Sequence, residues 1–443
     1  MYTVAWRLVV LFLLLACRPV MASIFFKQDT VEDSSLCGEP EPRHTGFLNG
    51  LYYIFYEARV RSVVAESVPL VIWLSGGPGC SSLVGMLFEN GPCIVGEDSP
   101  TTISLNVNSW TQAAHMVYID QPRGTGFSPA RASLRSWSEA TAVDDLVSFL
   151  DEFYTAFPTF ASNELYIFGE SYAGHYIPDL AHELLLRNSR AFQNLKGIGI
   201  GNGLTSVEAL FDTLGPFVKS VNNDILLTEA NDYVESCEEA IQACQDPAIG
   251  GQGDCSKVTV CEALSSNVMA QVYRQGLNHY NLDRKCHSDM FRLCYRFQPL
   301  YTFVNSQATM AKLGISGHSW APCNSDVFAG HLDKDYFEES EGKVATLLDH
   351  GIRVLIYAGD KDLVCNWMAQ DKWTREMTWH GHDEFNGNAM SAYVFKGEKH
   401  GQVRSAQGLT FFRVYNAGHM VPLDQPAVAL DVFRKFITNH PLV

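Results

Sequence analysis

Ser171 stands in the stretch Ile-Phe-Gly-Glu-Ser-Tyr-Ala-Gly-His-Tyr (167–176), where the residue types suit a nucleophile. Leu165–Phe168 is apolar and partly aromatic or β-branched, which reads as a buried strand, and the segment after Gly174 reads as a helix. Gly169 and Gly174 supply the small cross-section that a sharp strand-to-helix turn needs, with the serine held at its tip. A serine hydroxyl reacts only when a base takes its proton and a carboxylate orients that base. Two later strands offer both partners. Val-Leu-Ile-Tyr-Ala-Gly leads into Asp360 and Asp362, and Phe-Phe-Arg-Val-Tyr-Asn leads into Gly418 and His419. Any one of fourteen histidines is weak evidence, but one on a loop between a late strand and the last helix is not. Periodicity does not choose between the two aspartates.

The developing oxyanion needs donors as well. Trp-Leu-Ser-Gly-Gly-Pro-Gly-Cys-Ser-Ser (73–82) follows an apolar strand, and such a Gly-rich turn can aim a backbone N–H at a reacting carbonyl. The N–H of Tyr172, next to the serine, would be the second donor. The chemistry these residues could do is acyl transfer through a covalent intermediate. Other readings of the same residues fail. Gly76, Gly77 and Gly79 are not a phosphate loop, because no Gly-Lys-Ser/Thr follows. His182-Glu-Leu-Leu-Leu lacks the second histidine of a zinc peptidase helix, and no Cys-x-x-Cys pair suggests a zinc cluster. No metal and no cofactor are expected.

Elements that could position these groups run along most of the chain. Buried strands are predicted at 69–77, 116–120, 165–168 and 197–203. Between the second and third, apolar positions 143, 146, 147, 150, 153, 154 and 157 form one face of a helix over 140–157, which Pro158 ends. This alternation implies an α/β fold with a mostly parallel central sheet covered on both sides. The rhythm stops near 205. Residues 205–340 carry a cysteine cluster and polar Gly/Asn/Ser stretches with no comparable strand, and read as a helical, disulfide-stapled lid insertion. The sheet resumes at 352–359 and 409–416, and an amphipathic helix closes the chain over 427–437. The expected organisation is a leader at 1–22, core at 23–204, insertion at 205–340 and core again at 341–443.

With 443 residues, 47% of them hydrophobic, a sizeable core can form, and a formal charge of −17 argues against nucleic acid or anionic membrane as partner. Residues 8–17 are an apolar run followed by Val-Met-Ala before Ser23, the pattern of a secretory leader cleaved after Ala22. Ten apolar residues are too few to span a bilayer, so no membrane attachment is expected once the leader is gone. Eleven cysteines then remain, six of them between 237 and 294, which fits an oxidising compartment and leaves one thiol over. There is no Asn-x-Ser/Thr sequon.

Five motifs, taken in order, resemble one family: WLSGGPGCSSLVGMLFENGP, YIDQPRGTGFS, GESYAGHYIP, YAGDKDLVCNW and NAGHMVPLDQP. Together they look like the serine carboxypeptidases of the carboxypeptidase Y and cathepsin A group. The resemblance implies an α/β-hydrolase fold with a helical lid, and removal of C-terminal residues from peptides or proteins. It assigns Ser171 as nucleophile, Asp362 as orienting acid and His419 as base, with Gly77 and Tyr172 as oxyanion donors. It places recognition of the substrate carboxylate at Trp73, Ser75, Gly76, Glu89 and Glu170, and puts Phe88, Cys365 and Met420 in the pocket. Crowded carboxyl groups raise one another's pKa, and a protonated Glu can donate to a carboxylate. Peptidase activity is therefore expected at acidic pH, about 4.5–6. By the same resemblance Cys237 pairs with Cys261, Cys244 with Cys255, Cys286 with Cys294 and Cys80 with Cys323. Cys37 and Cys93 are left as a fifth bridge by arithmetic, and Cys365 as the free thiol.

Two residues depart from the pattern. The family's peptidases carry Asn where this chain has Ser75, a shorter side chain with one donor, which also resembles the plant acyltransferase branch. Glu170 and Met420 follow the peptidase pattern instead. Arg123 occupies a position where a small apolar residue is expected, and the sequence offers no account of it. The competing functions are an acyltransferase and a non-catalytic protective partner on the same fold. The chain is expected to be a monomer or homodimer of the secretory route, the extracellular space or a vacuole or lysosome.

Overall fold

The computed structural model describes residues 35–59, 68–130, 137–221, 234–245, 258–287, 293–332 and 335–443. All belong to one compact unit, Val31–Val443. The expected leader and the Cys244–Cys255 bridge fall outside the described residues. Among the described residues no helix is long and apolar enough to cross a membrane.

Among the described residues ten strands form the central sheet: β1 Arg43–Leu48, β2 Leu51–Tyr56, β3 Leu70–Leu74, β4 His115–Asp120, β5 Leu165–Glu170, β6 Leu195–Gly201, β7 Arg353–Gly359, β8 Ser391–Phe395, β9 Glu398–Ala406 and β10 Leu409–Val414. Their order is β1-β2-β4-β3-β5-β6-β7-β10-β9-β8. The six strands from β4 to β10 pair in parallel, and the antiparallel hairpins β1–β2 and β8–β9 flank them. The run Leu-Val-Ile-Trp-Leu of β3 is buried throughout because both faces of the sheet are covered. Leu70, Ile72 and Leu74 enter one core, while Val71 and Trp73 enter the other, the two-residue period of a strand. The first core packs the helices Glu139–Ala156 and Ala173–Leu186, and the second packs Pro426–Ile437.

The four early strands, the two late strands and both helices stand within a few residues of their sequence-predicted places. Ser138 caps the helix Glu139–Ala156 through a reciprocal box with Thr141, and Pro158 opens a separate 3-10 turn after it. Both flanking hairpins escaped the sequence reading. Their turns use left-handed residues, Asn49 and Gly50 in one (φ 44° and 69°) and Lys396 and Gly397 in the other (φ 52° and 87°). Arg123 now has a role. Its guanidinium donates to the carbonyl of Asn49 and pairs with Asp145 at 3.3 Å, so it ties the β1–β2 turn to the helix Glu139–Ala156.

Residues 205–340 contain the helices Val207–Ser220, Val234–Gln245, Thr259–Arg274, Gln298–Val304, Gln307–Lys312 and Ser325–Leu332. One short strand pair, apart from the central sheet, lies within this stretch. Leu277–Asn278 pairs antiparallel with Asn281–Lys285 as a small hairpin. Among the described residues four bridges are present: Cys37–Cys93, Cys80–Cys323, Cys237–Cys261 and Cys286–Cys294. Cys365 is a buried free thiol.

Candidate active site

Strand β5 ends at Glu170, and Ser171 follows in the left-handed region at φ 63°, a conformation that costs energy for a residue with a side chain. Close packing and hydrogen bonds hold the turn there. The Ser171 amide donates to Gly201 O at 3.0 Å, and its carbonyl accepts from Gly174 N at 2.9 Å and Leu204 N at 2.8 Å. A methyl at Gly169 would meet Leu74 O at 2.1 Å, and one at Gly174 would meet the Leu204 backbone at 2.7 Å. Both positions therefore need glycine for close approach.

The Gly-rich turn after β3 lies against this elbow. A Cβ at Gly76 would stand 2.4 Å from the Tyr172 nitrogen and 2.7 Å from Ser171 Cβ. Gly77 takes φ 110°, which favours glycine. Buried Asp120 fixes the far side of the turn, accepting from Ser81 Oγ at 2.6 Å, Ser82 N at 3.1 Å and Phe127 N at 2.9 Å. Cys80–Cys323 and the bond from Asn324 N to Gly79 O at 2.9 Å fasten the insertion to the same turn.

His419 Nδ1 lies 2.7 Å from Asp362 Oδ2. Three further donors reach that carboxyl: Val364 N at 2.9 Å, Cys365 N at 3.1 Å and Asn202 Nδ2 at 2.9 Å. With the imidazole N–H on Nδ1, Nε2 is left as the basic nitrogen. Asp360 is used differently. It accepts from Asn416 N at 2.9 Å and pairs with Arg413, closing the end of β10. The choice that periodicity left open is therefore decided by contacts: Asp362, not Asp360, meets His419.

Ser171 and His419 line one cavity of about 250 Å³ together with Ser75, Gly76, Gly77, Glu170, Tyr172, Cys365 and Met420. Trp73, Phe88, Glu89 and Asp362 are buried outside that lining. Phe88 stands behind the cavity wall. Its ring packs on Tyr295 and Phe297, which reach the cavity in its place. The indole N–H of Trp73 donates to Ser75 Oγ at 3.2 Å, which leaves the hydroxyl proton of Ser75 free to be donated in turn.

Glu89 and Glu170 form a buried pair. Burial, more than any neighbour, pushes the Glu89 carboxyl up to about 8. Glu170 is raised well above the usual carboxylate range, first by burial and then by Glu89. No amide or hydroxyl donor among the described residues reaches either oxygen of Glu89 or Oε2 of Glu170. Glu89 raises Glu170 further, and a carboxyl so raised keeps its proton to higher pH than an ordinary one. The Cys365 thiol is likewise pushed well above its ordinary value by burial and then by Asp362 and Glu170, so it is a neutral wall of the cavity.

Several lining or supporting residues had not been picked out in the sequence. Asn202, at φ 39°, bonds Asp362 and takes Gly359 N at 3.0 Å. Its signal is the Gly-Asn-Gly after β6, since Asn tolerates left-handed backbone. His279 lines the cavity, and burial lowers its pKa to about 4. Tyr280, Tyr295, Phe297, Phe328 and Tyr336 come from the insertion and carry no periodic signature.

Residues 44–439 match the family model described as serine carboxypeptidase. The chain is 36% identical to serine carboxypeptidase-like 48 of Arabidopsis thaliana over 87% of this chain and 75% of that one. It is 32% identical to a vacuolar serine-type carboxypeptidase of Saccharomyces cerevisiae over 93% and 82%. Among solved structures it resembles a prohormone-processing carboxypeptidase from Saccharomyces cerevisiae, with TM-score 0.78, 25% identity and 90% and 92% of the two chains covered.

Proposed function

This chain belongs to the serine carboxypeptidase family, and on that premise we propose that it removes C-terminal residues from peptides at acidic pH through an acyl-enzyme. Ser171 Oγ attacks the last peptide carbonyl as His419 Nε2 takes its proton. Asp362 holds the imidazole through Nδ1 and stabilises the charge it acquires. The oxyanion forms against the N–H groups of Gly77 and Tyr172. His419 then returns the proton to the leaving amine, and water attacks the Ser171 ester by the reverse route. Trp73, Ser75, Gly76, Glu89 and Glu170 recognise the substrate's free carboxylate, while Cys365 and Met420 bound the pocket.

One observation carries the exopeptidase reading: two buried carboxyls, Glu89 and Glu170, without amide or hydroxyl donors at three of their oxygens, the second of which lines the cavity of Ser171. A protonated carboxyl facing a substrate carboxylate is a donor, whereas an ionised one repels it. Ser75 favours a second reading, an acyltransferase that passes the Ser171 ester to an alcohol. Incubating the purified protein with a blocked dipeptide, and with an ester plus an acceptor alcohol, separates them. Amino-acid release, lost in Ser171→Ala, supports the peptidase. Acyl transfer without amino-acid release would replace it. We also place the protein in the secretory route or a vacuole, supported by the four bridges, the leader-like residues 1–22 and the vacuolar yeast relative.

A further inference from the structure

The small hairpin of the insertion holds both loops that carry the acid and the base. Leu363 N donates to His279 O at 3.1 Å, and Leu282 N to Lys361 O at 3.0 Å, on either side of Asp362. His419 N donates to Tyr280 O at 2.7 Å. The preceding residue has no room for a side chain, since a Cβ on Gly418 would stand 2.2 Å from Tyr280 O. One carboxylate joins these parts. Asp424, with a side chain only 3% exposed, takes Gly418 N at 2.7 Å and Asn281 Nδ2 at 2.8 Å on Oδ2, and Arg284 at 2.7 Å on Oδ1. Asn281 and Arg284 both belong to the hairpin strand Asn281–Lys285.

From these contacts we infer that Asp424 is a positioning residue: with Arg284 and Asn281 it clamps the Gly418–His419 peptide to the insertion hairpin and so fixes the imidazole against Asp362. It touches no reacting atom. This rests on the proposed role of His419, and it goes further by making the insertion part of the catalytic frame as well as a cover. A misplacement of about 1 Å in a reacting group costs about 10²-fold in rate. Loss of the clamp should therefore lower kcat and leave substrate binding alone.

The test uses the full chain with Asp424→Ala, Arg284→Gln and Arg284→Lys. A blocked dipeptide, a blocked amino-acid ester and labelling of Ser171 by an organophosphate are the kinetic readouts. The downfield Nδ1 proton of His419, followed by NMR, is the readout that needs no turnover. Asp424→Ala is expected to lower kcat on both substrates, and the labelling rate, by about 10²-fold with KM within about twofold. The His419 signal should broaden or move upfield. Arg284→Gln should show a smaller loss of the same kind, and Arg284→Lys should restore it. A folded Asp424→Ala protein with unchanged kcat and an unmoved His419 proton would overturn the inference, as would a change confined to KM of the peptide acid. If Asp424→Ala does not fold, Arg284→Gln decides by the same criteria. A wild-type chain that turns over neither substrate would sink the proposed function, while the His419 proton still decides the clamp.

Discussion

Two sets of buried carboxyls adjoin the same cavity and are furnished in opposite ways. Asp362 receives four donors: His419, Asn202 and the amides of Val364 and Cys365. Among the described residues, Glu89 Oε1 and Oε2 and Glu170 Oε2 receive none. Burial is nearly complete in both places. The difference shows that donors decide what a buried carboxyl does more than depth does. At Asp362 the donors suit an anion that orients a base. At the glutamate pair their absence favours the proton, and a protonated acid can greet a carboxylate.

The comparison breaks most severely at the donor-rich site. Asp362→Asn puts an amide N–H₂ among donors and presents the wrong partner to His419. We expect kcat on peptide and ester alike to fall about 10⁴-fold with little change in KM. A loss that appeared only in KM would mean that Asp362 serves binding.

At the donor-poor site the expected effects are smaller. Ser75→Asn keeps an acceptor for the Trp73 indole and adds an amide donor near the glutamate pair. One charge-assisted bond is worth roughly 1.5–3 kcal/mol, so KM for peptide acids should fall about tenfold or more. An unchanged KM would show that Ser75 is already matched to its site and would favour the acyltransferase reading.

Stability should carry the same asymmetry. Glu89 has a folded pKa of about 8 against an ordinary value of 4.5, so the folded state binds more protons between those limits. Glu339 is raised to about 8 and Glu139 is raised as well, both chiefly by burial. Stability from these groups is fully present below their unfolded pKa and is lost as pH rises through the folded one. Thermal unfolding should give a Tm several degrees lower at pH 8 than at pH 5, and Glu89→Gln should flatten that slope. A Tm that rises over this window would contradict the assignment.

What could be read from the sequence follows a physical divide. Ser171, His419 and the Gly-rich turn were legible because each sits where an apolar strand run gives way to a loop with unusual residues. The parallel strands were legible because burial on both faces makes a continuous apolar run. Asp360 and Asp362 looked alike because only folding brings Asn416 to one and His419 to the other. Arg123 looked misplaced because Asn49 and Asp145 are distant in the chain. The hairpin strand Glu398–Ala406 is rich in polar residues, and the grip of Tyr280 on His419 is made by a backbone carbonyl, which no side chain announces.

The central claim is that the glutamate pair recognises the substrate carboxylate as a proton donor, and the pH dependence of KM tests it most directly. KM should be measured from pH 5 to 9 on a blocked dipeptide acid and on the matching ester without a free carboxylate, for the wild type and Glu170→Gln. Because Glu89 is held near 8 and Glu170 higher than usual, the donor survives the acidic range and is lost on the alkaline side. The account predicts that KM for the acid climbs as pH rises through about 8, that KM for the ester stays level, and that Glu170→Gln, whose donor no pH removes, flattens the climb. The same alkaline rise for acid and ester, or a rise that persists in Glu170→Gln, would contradict it.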